Sequence, residues 1–306
     1  MRFSIRTVGA VAGVTALMAL AACGGGGSSN PLDAAAGGDA GSVVVGSANF
    51  QENVLLGEIY AQAIEAKGVK VTRQFNIGAR EIIYDQIKSG RISILPEYNG
   101  ALLAYLDKDA TATSTSEVNT ALAVKLPAEL ELLNSAAAED KDAVVVSSET
   151  AAKYKLKTLG DLGPVAKDLV LGGPPEFKTR NQGVVGLASA YGIQFKEFKS
   201  LDTAGPITVA ALKKGDVQAA NLFTTDPAVP ENGFVVLEDP KNLFSSQNVT
   251  PLVNKAKVND TVRGVLNALS AKLDTTTLAA LDKKVQSDKQ DVEAVAKAWL
   301  KEQGLV

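Results

Sequence analysis

The chain has 306 residues, a length that accommodates two domains of ordinary size or one large domain. Its 31 Lys and Arg against 34 Asp and Glu give a formal net charge of −3, and 46% of its residues are hydrophobic. This composition supports a buried core, and the lack of a basic block argues against nucleic acid as a partner. There is no histidine and only one cysteine. These counts exclude Ser-His-Asp and Cys-His catalysis, histidine-ligated metals and an internal disulfide.

The N-terminal segment is predicted to export and anchor the protein. An apolar run from Val8 to Ala22 is shorter than the ~20 residues of a transmembrane helix, and it ends in Leu-Ala-Ala-Cys23, which resembles the bacterial lipobox. A Gly/Ser-rich stretch follows, as a flexible tether requires. We therefore predict a lipoprotein signal peptide over 1–22 and a tether over 23–41, lipidated at Cys23. The protein would lie in the cell envelope, on the outer face of the cytoplasmic membrane. The alternative is an ordinary signal peptide with an incidental cysteine.

From Ser42 onward the sequence alternates between strand and helix patterns. Ser42 to Gly46 is a short β-branched run typical of a buried parallel strand. Asn49 and Glu52 are spaced as a capping box at the start of the first helix. The elements that follow are a helix over 50–67, a strand over 69–75, a helix over 80–89 and a strand over 92–95. This order predicts a parallel sheet with right-handed crossovers.

The same plan returns in the second half of the chain. The predicted elements are a strand over 169–172, a helix over 182–191, a strand over 194–200, a helix over 207–214 and a strand over 217–222. Gly90 and Gly215 each end a helix, and eight residues after them stand Tyr98 and Phe223. In open α/β sheets ligands bind beyond the carboxyl ends of strands, so two such lobes favour a shared cleft. The charged, helical segment 254–306 is expected to pack on the first lobe.

Five stretches, taken in order, resemble the glycine betaine/choline/proline-betaine receptors of ABC importers. They are Gly46-Ser47-Ala48-Asn49-Phe50-Gln51-Glu52, Leu95-Pro96-Glu97-Tyr98-Asn99-Gly100, Pro175-Glu176-Phe177-Lys178-Thr179-Arg180, Phe223-Thr224-Thr225-Asp226 and Trp299-Leu300-Lys301-Glu302-Gln303-Gly304-Leu305. The resemblance covers nearly all of 42–306. It implies a type II periplasmic-binding-protein fold, an α/β fold of two lobes with a central ligand cleft. We expect lobe 1 to comprise 42–142 and 248–306, and lobe 2 to comprise 143–247.

The ligands of that family set the chemistry that the cleft needs. A trimethylammonium group is charged but has no N–H, so aromatic faces recognise it by cation–π attraction of ~0.5–2 kcal/mol per ring. A betaine carboxylate calls for arginine or for backbone N–H groups at a helix start. The resemblance implies Tyr98 and Phe223 as walls of an aromatic cage and Arg180 as a carboxylate clamp. The further candidate contacts are Asn49, Phe50 and Thr224. The alternatives are core packing for the two aromatics, a solvated loop for Arg180 and a helix cap for Asn49.

Three positions depart from the family pattern, and one of them is Ala101, where the resemblance implies a threonine hydroxyl. Family members present further tyrosines near the two crossings between lobes, where this chain has Asp142 and Gln247. Asp142 could attract a cation such as choline, or both side chains could bind the hydroxyl groups of another solute. Two hypotheses therefore stay open. The ligand is a quaternary-ammonium solute (glycine betaine, choline, carnitine or proline betaine), or it is a different polar, polyhydroxylated or aromatic solute.

We expect a receptor rather than an enzyme. It would close around its ligand by a hinge motion and dock, as a monomer, on permease subunits whose ATPases are separate chains, because this chain has no Walker motif. We expect no cofactor, no metal and no nucleic acid. A glycosidase that uses carboxylates alone, with Glu97 or Asp226, is a remote alternative. A purely structural envelope lipoprotein would show no ligand-dependent compaction.

Overall fold

A computed structural model describes residues 42–306, so the predicted signal peptide, the tether and Cys23 lie outside the described residues. The strands form two five-stranded sheets. Sheet 1 has the order β2-β1-β3-β10-β4, with β1 (Ser42–Gly46), β2 (Lys70–Gln74), β3 (Ile94–Tyr98), β4 (Leu130–Leu132) and β10 (Val249–Asn254). Sheet 2 has the order β7-β6-β8-β5-β9, with β5 (Asp142–Val146), β6 (Val170–Gly173), β7 (Glu197–Ser200), β8 (Ala219–Phe223) and β9 (Val235–Val236). The boundaries of the two lobes stay a prediction.

Helices cover the sheets. Those between the strands of sheet 1 are α1 (Gln51–Glu65), α2 (Arg80–Lys88), α3 (Asn99–Leu106) and α4 (Thr115–Lys125). Those between the strands of sheet 2 are α5 (Ser148–Tyr154), α6 (Val184–Tyr191), α7 (Pro206–Lys214) and α8 (Ala228–Glu231), with 3₁₀ turns at Leu159–Leu162, Ala166–Asp168 and Pro175–Lys178. The chain ends with α9 (Asp260–Ser270), α10 (Thr275–Asp282), a π turn at Lys283–Ser287 and α11 (Val292–Glu302). Within the described residues, none of these helices combines the length and apolarity that a membrane span requires.

Both sheets are mixed, which corrects the prediction of a parallel first sheet. β1 pairs in parallel with β2 and β3, but β10 runs antiparallel to both β3 and β4. In sheet 2, β6 is parallel to β7 and β8, whereas β5 is antiparallel to β8 and β9. The local strand-helix order predicted the parallel pairs correctly. It could not predict the antiparallel strands, because their partners come from distant parts of the chain.

Two local predictions around the cleft are also wrong. The third strand runs over Ile94–Tyr98 rather than 92–95, because β10 pairs with it along that whole length. Helix α1 begins at Gln51 with Phe50 at the N-cap and no side-chain cap, so Asn49 and Glu52 form no capping box. The Glu52 carboxyl is instead buried and accepts hydrogen bonds from distant residues. Because the third strand extends to residue 98, Tyr98 is its last residue and lies at the edge where the cleft opens.

The core of sheet 1 lies under the C-terminal helices. Trp299 and Leu300 of α11 are buried in one cluster with Leu55 and Ile59 of α1, and α11 packs directly against α1. A second cluster, with side chains of α2, α3 and α4, covers the other side of the sheet. Helix α1 is therefore held on both the sheet side and the outer side, which fixes the position of its first turn. That turn carries Glu52, next to the site described below.

Candidate functional site

A cavity lies where strands of both sheets end, and its empty space, with open solvent included, is about 540 Å³. Its walls include seven of the eight candidate ligand contacts: Asn49, Phe50, Tyr98, Asp142, Arg180, Phe223 and Gln247. The eighth, Thr224, does not line this cavity. Its side chain is exposed, and its hydroxyl accepts from the backbone N–H of Lys141 and donates to Asp140. Thr224 therefore braces the chain next to the cavity, and whether any of the eight contacts ligand stays a prediction.

Three aromatic rings form one wall of the cavity. Tyr98 ends β3 of sheet 1, Phe223 ends β8 of sheet 2, and Phe50 precedes α1. The Phe50 ring lies 5.9 Å from the Tyr98 ring and 5.0 Å from the Phe223 ring, centroid to centroid, both tilted. These separations lie in the favourable range for aromatic pairs. Phe50 thus joins the two residues for which the resemblance implied cage walls, and the wall has three rings rather than two.

Two arginines line the cavity, and each is paired with a carboxylate. Arg80 binds Glu97 through two nitrogens, with Nε 2.9 Å from Oε1 and Nη2 2.8 Å from Oε2. Arg180 binds Glu81 in the same manner, at 2.9 and 2.8 Å. Glu81 belongs to α2 beside sheet 1, whereas Arg180 follows a turn beside sheet 2, so this ion pair joins the two sides of the cleft. Such bidentate pairs are strong and directional.

Asp142 and Gln247 lie side by side in the cavity wall. The backbone N–H of Asp142 points at Oε1 of Gln247, 3.4 Å away, and Gln247 donates from Nε2 to Gln182 at 3.2 Å. The Asp142 carboxyl accepts a hydrogen bond of 2.9 Å from Asn221. Burial raises the pKa of Asp142, although the positive charges of Arg180 and Arg80 oppose that rise. Asp142 and Gln247, which replace tyrosines of the family pattern, therefore form a polar part of the cavity wall that contrasts with the aromatic wall.

Sequence reasoning missed several residues of the site. Arg80, Glu97 and Asp140 line the cavity, and Glu52 lies behind it with 2% of its surface exposed. Glu97 was considered only as a catalytic acid, and Arg80 gives no signal beyond its place at the start of a helix. Glu52 gave no sequence signal beyond its spacing from Asn49, because its burial is seen only in the structure.

The carboxyls that a glycosidase would use are not arranged together. Glu97 lines the first cavity and forms an ion pair with Arg80. Asp226 lines a neighbouring cavity whose empty space, with open solvent included, is about 1230 Å³. Across residues 42–306, no group of three or more acidic or cysteine side chains could hold a metal ion. Rings, paired charges and a few amides around a cavity are features typical of small-molecule binding sites.

The chain matches known proteins over most of its length. Residues 41–302 match the family model described as the substrate binding domain of ABC-type glycine betaine transport system. The glycine betaine-binding protein YehZ of Escherichia coli K12 is 29% identical, with 90% of this chain and 93% of that protein covered. The glycine-betaine-binding protein of Pseudomonas aeruginosa PAO1 is 25% identical, with 86% and 88% covered.

Solved structures show the same fold. A glycine betaine/carnitine/choline ABC transporter structure superposes with a TM-score of 0.66 at 22% identity, covering 86% of this chain and 99% of that one. Lactococcal OpuAC, closed on glycine betaine, gives a TM-score of 0.62 at 17% identity, covering 86% and 96%. The fold predicted from the sequence, a type II periplasmic-binding-protein fold, is confirmed, and so is the resemblance to transport receptors. The chain belongs to the family of substrate-binding domains of ABC-type glycine betaine transport systems.

Proposed function

We propose that this protein binds a quaternary-ammonium solute in the cavity between the two sheets and delivers it to the permease of an ABC importer. The observation that carries the proposal is the wall formed by Phe50, Tyr98 and Phe223. A cation without N–H donors cannot be held by hydrogen bonds, and ring faces supply the alternative attraction. The relatives that are named for binding glycine betaine support the same ligand class.

The pairing of the arginines favours choline as a second candidate beside glycine betaine. Arg80 and Arg180 already use Nε and Nη2 to bind Glu97 and Glu81, so the carboxylate of a betaine has to use their remaining N–H groups or displace a carboxylate. A choline cation carries a hydroxyl in place of the carboxylate and needs only the rings and Asp142. Glycine betaine therefore requires a partner for its carboxylate, whereas choline does not, so a comparison of their affinities tests the role of the arginines.

The proposal is tested by thermal denaturation in the presence of single solutes. A ligand at 100 times its dissociation constant stabilises a protein by ~2.7 kcal/mol, which raises Tm by several degrees. We expect that shift with glycine betaine or choline, and no shift with glycine, whose ammonium group carries hydrogens. Stabilisation by polyhydroxylated or aromatic solutes alone would contradict the proposal and favour a receptor for a different ligand.

Asp142→Asn is expected to separate the two candidate ligands. The substitution removes a negative charge but keeps an acceptor for Asn221. Choline affinity should fall ~10-fold, because the cation loses its counter-charge, while glycine betaine affinity stays within ~3-fold. Since the pKa of Asp142 is raised, more of it is ionised as the pH increases, so choline binding by the parent should strengthen with pH. Calorimetric titrations at several pH values measure both effects, and equal losses for both ligands would contradict this role.

Arg180→Ala is expected to have the opposite selectivity. If Arg180 leaves Glu81 to bind the ligand carboxylate, its loss removes a charge-assisted hydrogen bond worth ~1.5–3 kcal/mol, and glycine betaine affinity falls ~10- to 100-fold. Choline affinity should stay within ~3-fold. Arg91→Ala, at an exposed position after α2, is the matched control. If Arg180→Ala binds glycine betaine as tightly as the parent does, Arg180 does not bind the ligand carboxylate.

We further propose that the protein is exported by residues 1–22, held on the outer face of the cytoplasmic membrane by lipid on Cys23, and works as a monomer. The lipobox pattern and the Gly/Ser-rich stretch support the anchor. Cys23→Ser should release the protein from the membrane fraction of cells that express it. Retention of that variant in the membrane fraction would argue for an anchor other than the cysteine.

A further inference from the structure

A cluster of buried carboxyls lies directly behind the aromatic wall. Glu52, Asp140 and Asp282 are each at most 2% exposed, and Asp226 is 5% exposed. None of the ion pairs found among residues 42–306 involves them. Buried carboxylates normally require a cation or several donors, because leaving water costs a charge much of its solvation. The cluster therefore needs an explanation that the ligand cavity alone does not give.

Glu52 connects the two sides of the cleft. The Tyr98 hydroxyl donates to its Oε1 at 2.6 Å, and the Thr225 hydroxyl donates to its Oε2 at 2.7 Å. Tyr98 ends a strand of sheet 1, whereas Thr225 lies two residues after the end of β8 in sheet 2. One carboxyl thus fixes the orientation of a ring in the cavity wall and ties that ring to the opposite sheet.

Asp282 supplies the second carboxyl. Neither of its oxygens has a hydrogen-bond donor among the described residues. The Glu52 carboxyl and the side chain of Gln286 are the polar side chains that lower its pKa against the effect of burial. A fully buried carboxyl that has no donor and lies next to other carboxyls is favoured in its protonated form, and it can then donate to a neighbouring carboxylate. Burial, with the charge of Asp282 added, raises the pKa of Glu52 well above its usual range. Burial raises the pKa of Asp282 to about 7.

We propose that Glu52 is a positioning residue for the ligand wall, and that it shares one proton with Asp282 while it holds the Tyr98 ring and the Thr225 hydroxyl. The role in binding rests on the proposed function, whereas the shared proton does not. The other titratable groups that face the pair are Tyr98 itself, Asp140 in the segment joining the sheets, and Asp226 beyond Asp282. All are acidic, so each added negative charge favours keeping the proton.

The shared proton predicts how stability changes with pH. The pair binds more protons in the folded protein than in the unfolded chain at every pH between the ordinary carboxyl value, about 4, and the raised value, about 7 for Asp282. The contribution of the pair to the free energy of unfolding should therefore fall as pH rises through that window. Asp282→Asn keeps the shape and offers an amide donor to Glu52. It should flatten the slope of unfolding free energy against pH by about one proton.

The binding role is tested with Glu52→Gln and Glu52→Ala. Glutamine is uncharged and still accepts from Tyr98, and the Thr225 hydroxyl can turn to accept from the amide. We therefore expect it to keep affinity for glycine betaine or choline within ~3-fold, while alanine loses at least ~10-fold. Tyr98→Phe keeps the ring but removes the hydroxyl that donates to Glu52, so it should weaken binding as well. This variant tests the same contact if Glu52→Ala does not fold. Asp288→Asn, an exposed acid in the same region, is the control for the pH slope.

Two outcomes overturn the proposal. If Glu52→Gln loses as much affinity as Glu52→Ala, the residue acts through its charge and not as a protonated anchor. If Asp282→Asn has the same pH slope as the parent and Asp288→Asn, the two carboxyls do not share a proton. The slopes are measured without ligand. A parent that binds none of glycine betaine, choline, carnitine and proline betaine therefore refutes the proposed function and the positioning role, while the slopes still decide the carboxyl pair.

Discussion

Tyr98→Ala is expected to weaken binding of a quaternary-ammonium ligand by ~10- to 100-fold, more than the loss of the Phe223 ring. A well-placed ring contributes ~0.5–2 kcal/mol to cation binding, which corresponds to about 2- to 30-fold in affinity. Tyr98 should exceed that range because its loss also removes the donor to Glu52 and leaves the buried carboxyl less well satisfied. Phe223→Ala should lie within the range, since its ring contacts Phe50 and has no polar group to lose.

The controls for Tyr98→Ala and Phe223→Ala are variants that lose an aromatic ring outside the cavity. Tyr154 and Phe195 are partly buried against the core of sheet 2 and line none of the described cavities near the cleft. Tyr154→Ala and Phe195→Ala should lower Tm without changing affinity. Calorimetric titration of all four variants, with melting curves to show that each is folded, separates binding from stability. Unchanged affinity in both Tyr98→Ala and Phe223→Ala would refute the aromatic wall as a ligand site.

Gly100→Ala is expected to give the largest loss of stability near the site. Gly100 is the second residue of α3, just after Tyr98, and a Cβ there would lie 2.2 Å from the backbone oxygen of Ser246 and 2.4 Å from the hydroxyl of Ser245. A backbone oxygen cannot turn away as a side chain can, so one of the two segments must shift. Such overpacking costs ~1–3 kcal/mol or more. The shift would also move Gln247, which follows Ser246 into the cavity wall.

Gly264→Ala is the matched control. Gly264 lies in the middle of α9, and nothing would lie within 4 Å of a Cβ at that position. Alanine in an open helix position is more stable than glycine by ~0.5–1 kcal/mol. Urea denaturation should therefore show opposite signs for the two glycine-to-alanine changes. If Gly100→Ala is as stable as the parent, the close packing of α3 against the 245–247 segment is not a constraint on the site.

The parts of the fold that sequence predicted correctly are set by local chemistry. Gly90 and Gly215 follow the ends of α2 and α7 with φ of 74° and 77°, a conformation that favours glycine. Each helix is then followed by a strand that carries an aromatic residue at its end, Tyr98 or Phe223. These signals need only a few neighbouring residues, so they could be recognised without knowledge of the tertiary structure.

The parts that could not be predicted depend on contacts between distant residues. The resemblance implied Arg180 as a carboxylate clamp, but nothing near it in the sequence indicates that Glu81 would occupy its guanidinium. Glu52 was interpreted as part of a helix cap because its spacing from Asn49 fits that motif. Its real partners, Tyr98 and Thr225, come from two other segments of the chain. Local pattern identified the right residue there and assigned it the wrong role.

The central claim is that the ring-walled cavity binds a quaternary-ammonium solute. Isothermal titration calorimetry tests it most directly, with protein that has been unfolded and refolded to remove any ligand it carries. We predict saturable one-to-one binding of glycine betaine or choline, and weaker binding of the same solute by Tyr98→Ala. A folded protein that gives no heat with glycine betaine, choline, carnitine or proline betaine, but binds a polyhydroxylated solute, would contradict the claim.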